Sequence, residues 1–131
     1  MNKSRIFRII SPSLFVVISL TFLFLLPVDD LEVSSWWGTY KIDKLIHIIA
    51  FAILALSISI TLTKLRVLID FNYRLMALIF VVCAIYGIIL ELLQKELGMG
   101  RSAELLDIVA DCVGVLFGFV IFRIVYVVFP E

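Results

Sequence analysis

Four stretches of this chain run nearly free of polar side chains for the length of a membrane crossing. They are 9–26, ending at Pro27, then 45–62, 75–93 and 108–129. A helix that crosses about 30 Å of hydrocarbon needs about 20 mostly apolar residues, and each stretch meets that length. The connections 27–44, 63–74 and 94–107 hold most of the charge and are too short to form a second domain. The pattern therefore predicts an all-α, integral membrane four-helix bundle, with 1–131 as a single transmembrane domain. Lys3, Arg5 and Arg8 ahead of the first apolar run look like the start of a signal peptide. No small-x-small cleavage site follows, and the run continues as LLPVDDLEV, so the expectation is an uncleaved first span.

Polar residues interrupt the pattern at three span ends. The second span opens on Asp43, Lys44 and His47; the third closes on Glu91 and Gln94; Gly100 and Arg101 follow in the loop, then Asp107 and Asp111 open the fourth. At about 100° per residue, positions i, i+4, i+7 and i+11 share one stripe of a helix. Asp43, His47, Ala50 and Leu54 form such a stripe, as do Gly87, Glu91, Gln94 and Gly98, and also Asp107, Asp111, Gly114 and Gly118. Gly114 and Gly118 make a GxxxG pair, and small residues mark where membrane helices approach closely. Gly87, Gly114 and Gly118 are thus expected at helix contacts, with the acids pointing inward beside them.

Composition strengthens the membrane reading. Apolar residues make up 63% of the 131, and the mean hydropathy is +1.19, more than a soluble domain of this size can hide. Net charge is zero, which leaves no basic field for nucleic acid. Cys83 and Cys112 both lie in apolar stretches and read as packing residues, with no CxxC motif. One side of the membrane would carry Lys3, Arg5, Arg8, Lys64, Arg66, Arg74 and Arg123; the other would carry only Lys41, Lys44, Lys95 and Arg101. That bias predicts both termini inside and the polar cluster outside, with Trp36, Trp37 and Tyr40 at the outer interface and Arg123 snorkelling at the inner one.

Ionisable groups in spans point to function, although these lie near the boundary, where their cost is lower. Asp43 can orient or charge-stabilise His47 across one helical turn, and Arg101 can neutralise Glu91 or an aspartate. An ion-paired collar that fixes helix order is the structural alternative. Glu91, Asp107 and Asp111 could supply carboxylates to a divalent metal, but no recognised metal-ligand spacing, nucleophile elbow or phosphate loop is present, so neither a metal nor a cofactor is expected.

The runs DKLIHIIAFAILAL and ELLQKELGMGRSAELLDIVADCVGVLFG resemble the VanZ-like family of small bacterial membrane proteins. Asp43, Lys44, His47, Glu91, Gln94, Gly100, Arg101, Asp107 and Gly114 match its pattern directly, and Asp111 stands where asparagine is more usual. The resemblance covers roughly residues 41–122. It implies a multi-pass protein of the bacterial cytoplasmic membrane, in a family named for resistance to the glycopeptide teicoplanin.

Three functions fit these residues. The favoured one is a non-enzymatic cell-envelope protein whose cluster of Asp43, Lys44, His47, Glu91, Gln94, Arg101, Asp107 and Asp111 binds an anionic ligand. Candidates are a lipid-linked wall precursor or a glycopeptide, with Arg101, Lys44 and His47 contacting phosphate or carboxylate. The second is a membrane-surface enzyme acting on a lipid phosphate, with His47 as base or nucleophile, Asp43 orienting it, and Glu91 or Asp107 as a further acid–base group. The third is an accessory subunit held in a larger assembly, or a homo-oligomer, through the glycine seam.

Overall fold

The computed structural model describes residues 2–26, 39–66, 72–97 and 105–128, the side chains of 39–41 and 127–128 excepted. They form four helices, α1 (Lys3–Phe24), α2 (Thr39–Lys64), α3 (Tyr73–Glu96) and α4 (Leu105–Arg123), the last prolonged by a π-helical turn, Ile124–Val128. No strand occurs among the described residues. All four helices are long and apolar enough to cross a membrane, and at most 39% of any span is buried inside the bundle. The rest is an apolar outer surface, including Phe15, Phe22, Leu92, Leu116 and Val120. Only lipid suits such a surface, and the chain is a multi-pass membrane protein.

The helices start earlier than the apolar runs alone indicate. α1 begins at Lys3 rather than at 9, α2 at Thr39 rather than at 45, and α4 at Leu105 rather than at 108. Hydropathy marks the length that lipid covers, whereas a helix continues through polar residues until something stops it. Pro12 does not stop α1. Its missing N–H frees the Arg8 carbonyl, toward which the Ser11 hydroxyl turns at 3.4 Å. α3 has a defined start, with the Asn72 side chain accepting from the Arg74 amide at 3.0 Å. α2 ends in the left-handed conformation at Arg66, φ 60°, a position more often glycine.

The closest pairing is α2 against α4. A methyl group on Gly114 would collide with the Ile48 carbonyl and lie 3.0 Å from Phe51 Cβ; one on Gly118 would lie 2.5 Å from the Ala52 carbonyl. The two backbones therefore touch along one stripe, and neither glycine can carry a side chain without moving α2. α3 packs on α4, and α1 lies against α2 with a lighter contact to α3. Hydroxyl groups tie α1 in place. Ser13 donates to the Ser57 carbonyl at 2.9 Å and lies 2.7 Å from the Thr61 hydroxyl, while Thr21 meets the Tyr86 hydroxyl at 2.8 Å. The core between the helices holds Phe24, Phe51, Leu54, Leu90 and Val115.

Candidate functional site

About the first two and a half turns of α2 bring Asp43, Lys44 and His47 to one end of the bundle, beside the last turns of α3 and the first turns of α4. His47 is at the centre, 2% exposed. Its Nδ1 shares a 2.7 Å hydrogen bond with Asp111 Oδ1. With the carboxylate ionised, the ring nitrogen is the donor. The other ring nitrogen, Nε2, faces Glu91 Oε1 at 3.8 Å, an electrostatic contact beyond hydrogen-bond length. Phe24 closes the side toward α1, its ring 4.4 Å from the imidazole.

Sequence periodicity suggested Asp43, one turn earlier on the same helix, as the partner that orients His47. The hydrogen bond at Nδ1 is accepted instead by Asp111 on α4, while Asp43 keeps a carboxylate oxygen within 4.8 Å of a His47 nitrogen, where its charge still acts on the ring. The α2–α4 glycine seam explains the difference. With the backbones in contact at Gly114, the residue one turn before it on α4 sits directly across from His47.

Asp111 is 1% exposed. Its second oxygen, Oδ2, receives no hydrogen bond from the described residues and lies where a side chain on Gly87 would be. Gly87 thus makes room for a carboxylate as well as for a helix. Buried acceptors of this kind are rare in native proteins and call for an explanation.

Toward the end of the bundle the cluster opens. Lys44 Nζ bonds Asp107 Oδ1 at 3.0 Å, with the lysine side chain one-fifth exposed and the aspartate buried. Asp43, half-buried, offers a carboxylate oxygen that lies with a His47 nitrogen and an Asp107 oxygen inside 4.8 Å of one another. Those three donors have the spacing to hold a cation, but the Lys44 ammonium already occupies Asp107 and opposes a second positive charge there. Gln94, one turn after Glu91 on α3, is buried as well. Its amide donates to the Phe24 carbonyl at 2.8 Å, a group at the end of α1 with no further helical turn to accept from. Nothing in the sequence pattern flags this cross-helix cap, because Phe24 reads simply as part of an apolar run.

Asp43, Lys44, His47, Glu91, Asp107 and Asp111 are therefore brought together from three helices, with Gln94 joined to them through Phe24. Gly98, Gly100 and Arg101 lie outside the described residues, as do Trp36 and Trp37 and the side chain of Tyr40. Among the described members of the cluster, four carboxylates stand against Lys44 and His47, an excess of acceptors over donors.

No curated protein and no solved structure matches the chain. A family model does, over residues 3–126, from the first turn of α1 to the π-helical turn after α4. That range takes in every member of the His47 cluster, and the chain belongs to the VanZ/LLP1 family.

Proposed function

We propose that this is a ligand-binding membrane protein of the bacterial cell envelope, and that the His47 cluster receives a polar group of an envelope molecule. The observation that carries the reading is the open end of the cluster, where half-buried Asp43 offers a carboxylate oxygen within 4.8 Å of a His47 nitrogen and an Asp107 oxygen. Beside it, Asp111 Oδ2 remains a buried carboxylate oxygen with no hydrogen-bond partner among the described residues. A collar serving only to hold helices together would gain by satisfying or deleting it, since an unsatisfied buried polar group costs about 1–3 kcal/mol. The acceptor excess refines the ligand. Among the described residues an anion alone finds few donors, so the recognised molecule also presents hydroxyl or ammonium groups to Asp43 and Asp107 at the open end of the cluster. Lys44 and Arg101 serve its phosphate or carboxylate. Lipid-linked wall precursors and glycopeptides carry both kinds of group. With both termini inside, as the charge bias supports, the cluster faces the compartment where those molecules are found.

A catalytic reading has one observation in its favour, the His47–Asp111 pair, because a carboxylate on Nδ1 is how a general base is oriented. It predicts conversion of a lipid-linked phosphate by the purified protein.

The test is a pair of measurements on Asp43→Asn and Arg101→Lys: folded yield in detergent, and glycopeptide susceptibility of cells that express each variant. Arg101→Lys keeps the charge but loses the planar fork that matches phosphate or carboxylate. The expected result is altered susceptibility with normal yield. If susceptibility falls only in step with folded yield, the cluster is a structural collar and the binding reading is wrong.

A further inference from the structure

At the opposite end of the bundle from His47, the start of α1 and the end of α2 enclose a cavity of about 420 Å³. Arg5, Arg8 and Lys64 line it together with Ile9, Pro12 and Ile60. No acidic residue lines it, and among the described residues no carboxylate pairs with any of these three cations. The three charges are close enough to share one cavity, which places like charges together at a cost that an anion would remove.

Its position narrows the ligand. The span of α1 begins at Lys3 and that of α2 ends at Lys64, so the cavity lies where apolar helix gives way to the charged membrane interface. Its walls are of two kinds. The guanidinium and ammonium groups belong to exposed side chains at the rim, while Ile9, Pro12 and Ile60 supply an apolar wall that continues into the lipid-facing surface. Thr61, also in the lining, already directs its hydroxyl to the Ile9 carbonyl at 3.3 Å, so cations are the principal donors offered. Arginine forks match phosphate oxygens two at a time, and basic pockets between membrane helices suit anionic headgroups. Ordinary ligand pockets span roughly 300–1,000 Å³, so the cavity is large enough for a headgroup and the start of its acyl chains.

We infer that the Arg5–Arg8–Lys64 cavity binds the phosphate headgroup of an anionic membrane lipid, with the acyl chains running down the α1–α2 surface. The site is separate from the His47 cluster and does not depend on what that cluster binds. A free phosphate has the same headgroup chemistry but would make no use of the apolar wall.

Native mass spectrometry of the full-length protein in detergent tests this, with phosphatidylglycerol, phosphatidylcholine of the same chain length, and inorganic phosphate as probes. The expected result is a bound phosphatidylglycerol that phosphatidylcholine does not replace and millimolar phosphate does not displace. Each basic residue near a membrane surface contributes an attraction equivalent to about fivefold in affinity. R5Q/R8Q/K64Q should thus weaken phosphatidylglycerol binding about a hundredfold, and R8Q alone about fivefold, should the triple variant fold poorly. R5K/R8K keeps the charge but loses the two forks, so its binding should fall between that of the native protein and that of R5Q/R8Q/K64Q. Unchanged lipid preference in R8Q and in the folded triple variant would overturn the inference. So would binding of inorganic phosphate, lost in R8Q, by a protein that shows no preference for phosphatidylglycerol.

Discussion

Gly87→Ala adds one methyl group and changes no polar atom, yet it reaches the centre of the cluster. The new Cβ would fall against Asp111 Oδ2, 3.2 Å from its Cγ and 3.3 Å from Phe51 Cζ. Carbon atoms pack best at about 3.5–4.0 Å, so the carboxylate must withdraw by about 1 Å or α3 must move off α4. Asp111 has little freedom to yield, being short, buried and held to His47 at 2.7 Å. Withdrawal would stretch that bond beyond useful length, and a hydrogen bond to a charged group contributes about 1.5–3 kcal/mol. Against this, alanine is the better helix former by about 1 kcal/mol. The loss outweighs the gain, and the variant should be destabilised by about 0.5–2 kcal/mol. Unfolding in mixed detergent micelles, followed by circular dichroism, measures the stability. His47 is the only histidine in the chain, so its imidazole nitrogens, labelled with 15N, report the hydrogen bond without assignment ambiguity. A variant stabilised by about 1 kcal/mol with unchanged imidazole signals would show that residue 87 has room to spare, and would refute the tight seat for Asp111.

Gly118→Leu should separate or misfold the bundle, since even a methyl group there meets the Ala52 carbonyl at 2.5 Å and Ala55 Cβ at 2.9 Å; Leu116→Phe, on the exposed face, should be mild, and equal folded yields for the two would contradict the α2–α4 seam. Gln94→Met keeps the volume but leaves the Phe24 carbonyl without its donor, so a loss of about 1–3 kcal/mol is expected, checked by the same unfolding titration. Reporter fusions after the C-terminus and within 63–74 should report cytoplasm and those within 27–44 the outside; a cytoplasmic signal from 27–44 would reverse the orientation.

Span number and helical class were legible because lipid imposes a length and a polarity that no other environment requires. The stripes were legible too, since periodicity determines which residues share a face. What periodicity leaves open is how one helix is rotated and offset against the next. That offset decides that Asp111 on α4 accepts the imidazole hydrogen bond, and that Lys44 finds Asp107. The glycines held part of the answer, because Gly114 and Gly118 mark the face of α4 on which α2 lies. Reading the offset from them requires knowing that they meet Ile48 and Ala52, which no single sequence reveals. Gln94 was harder still. It belongs to the acid stripe by spacing, but its partner is a backbone carbonyl, and carbonyls leave no mark on a sequence.

The backbone contact between α2 and α4 bears on how the protein responds to the thickness of its bilayer. Helices joined by interlocking side chains can creep past one another as rotamers adjust. Here Gly114 and Gly118 sit over the Ile48 and Ala52 carbonyls, and any axial slip brings a residue with a side chain against one of them. The pair is keyed, like a ratchet stopped at one tooth. A thinner or thicker membrane must then be met by tilting α2 and α4 together, or by movement of the more lightly held α1, rather than by sliding within the pair. His47 and Asp111 ride on opposite halves of that keyed unit, so their 2.7 Å separation is insulated from the lipid composition around them.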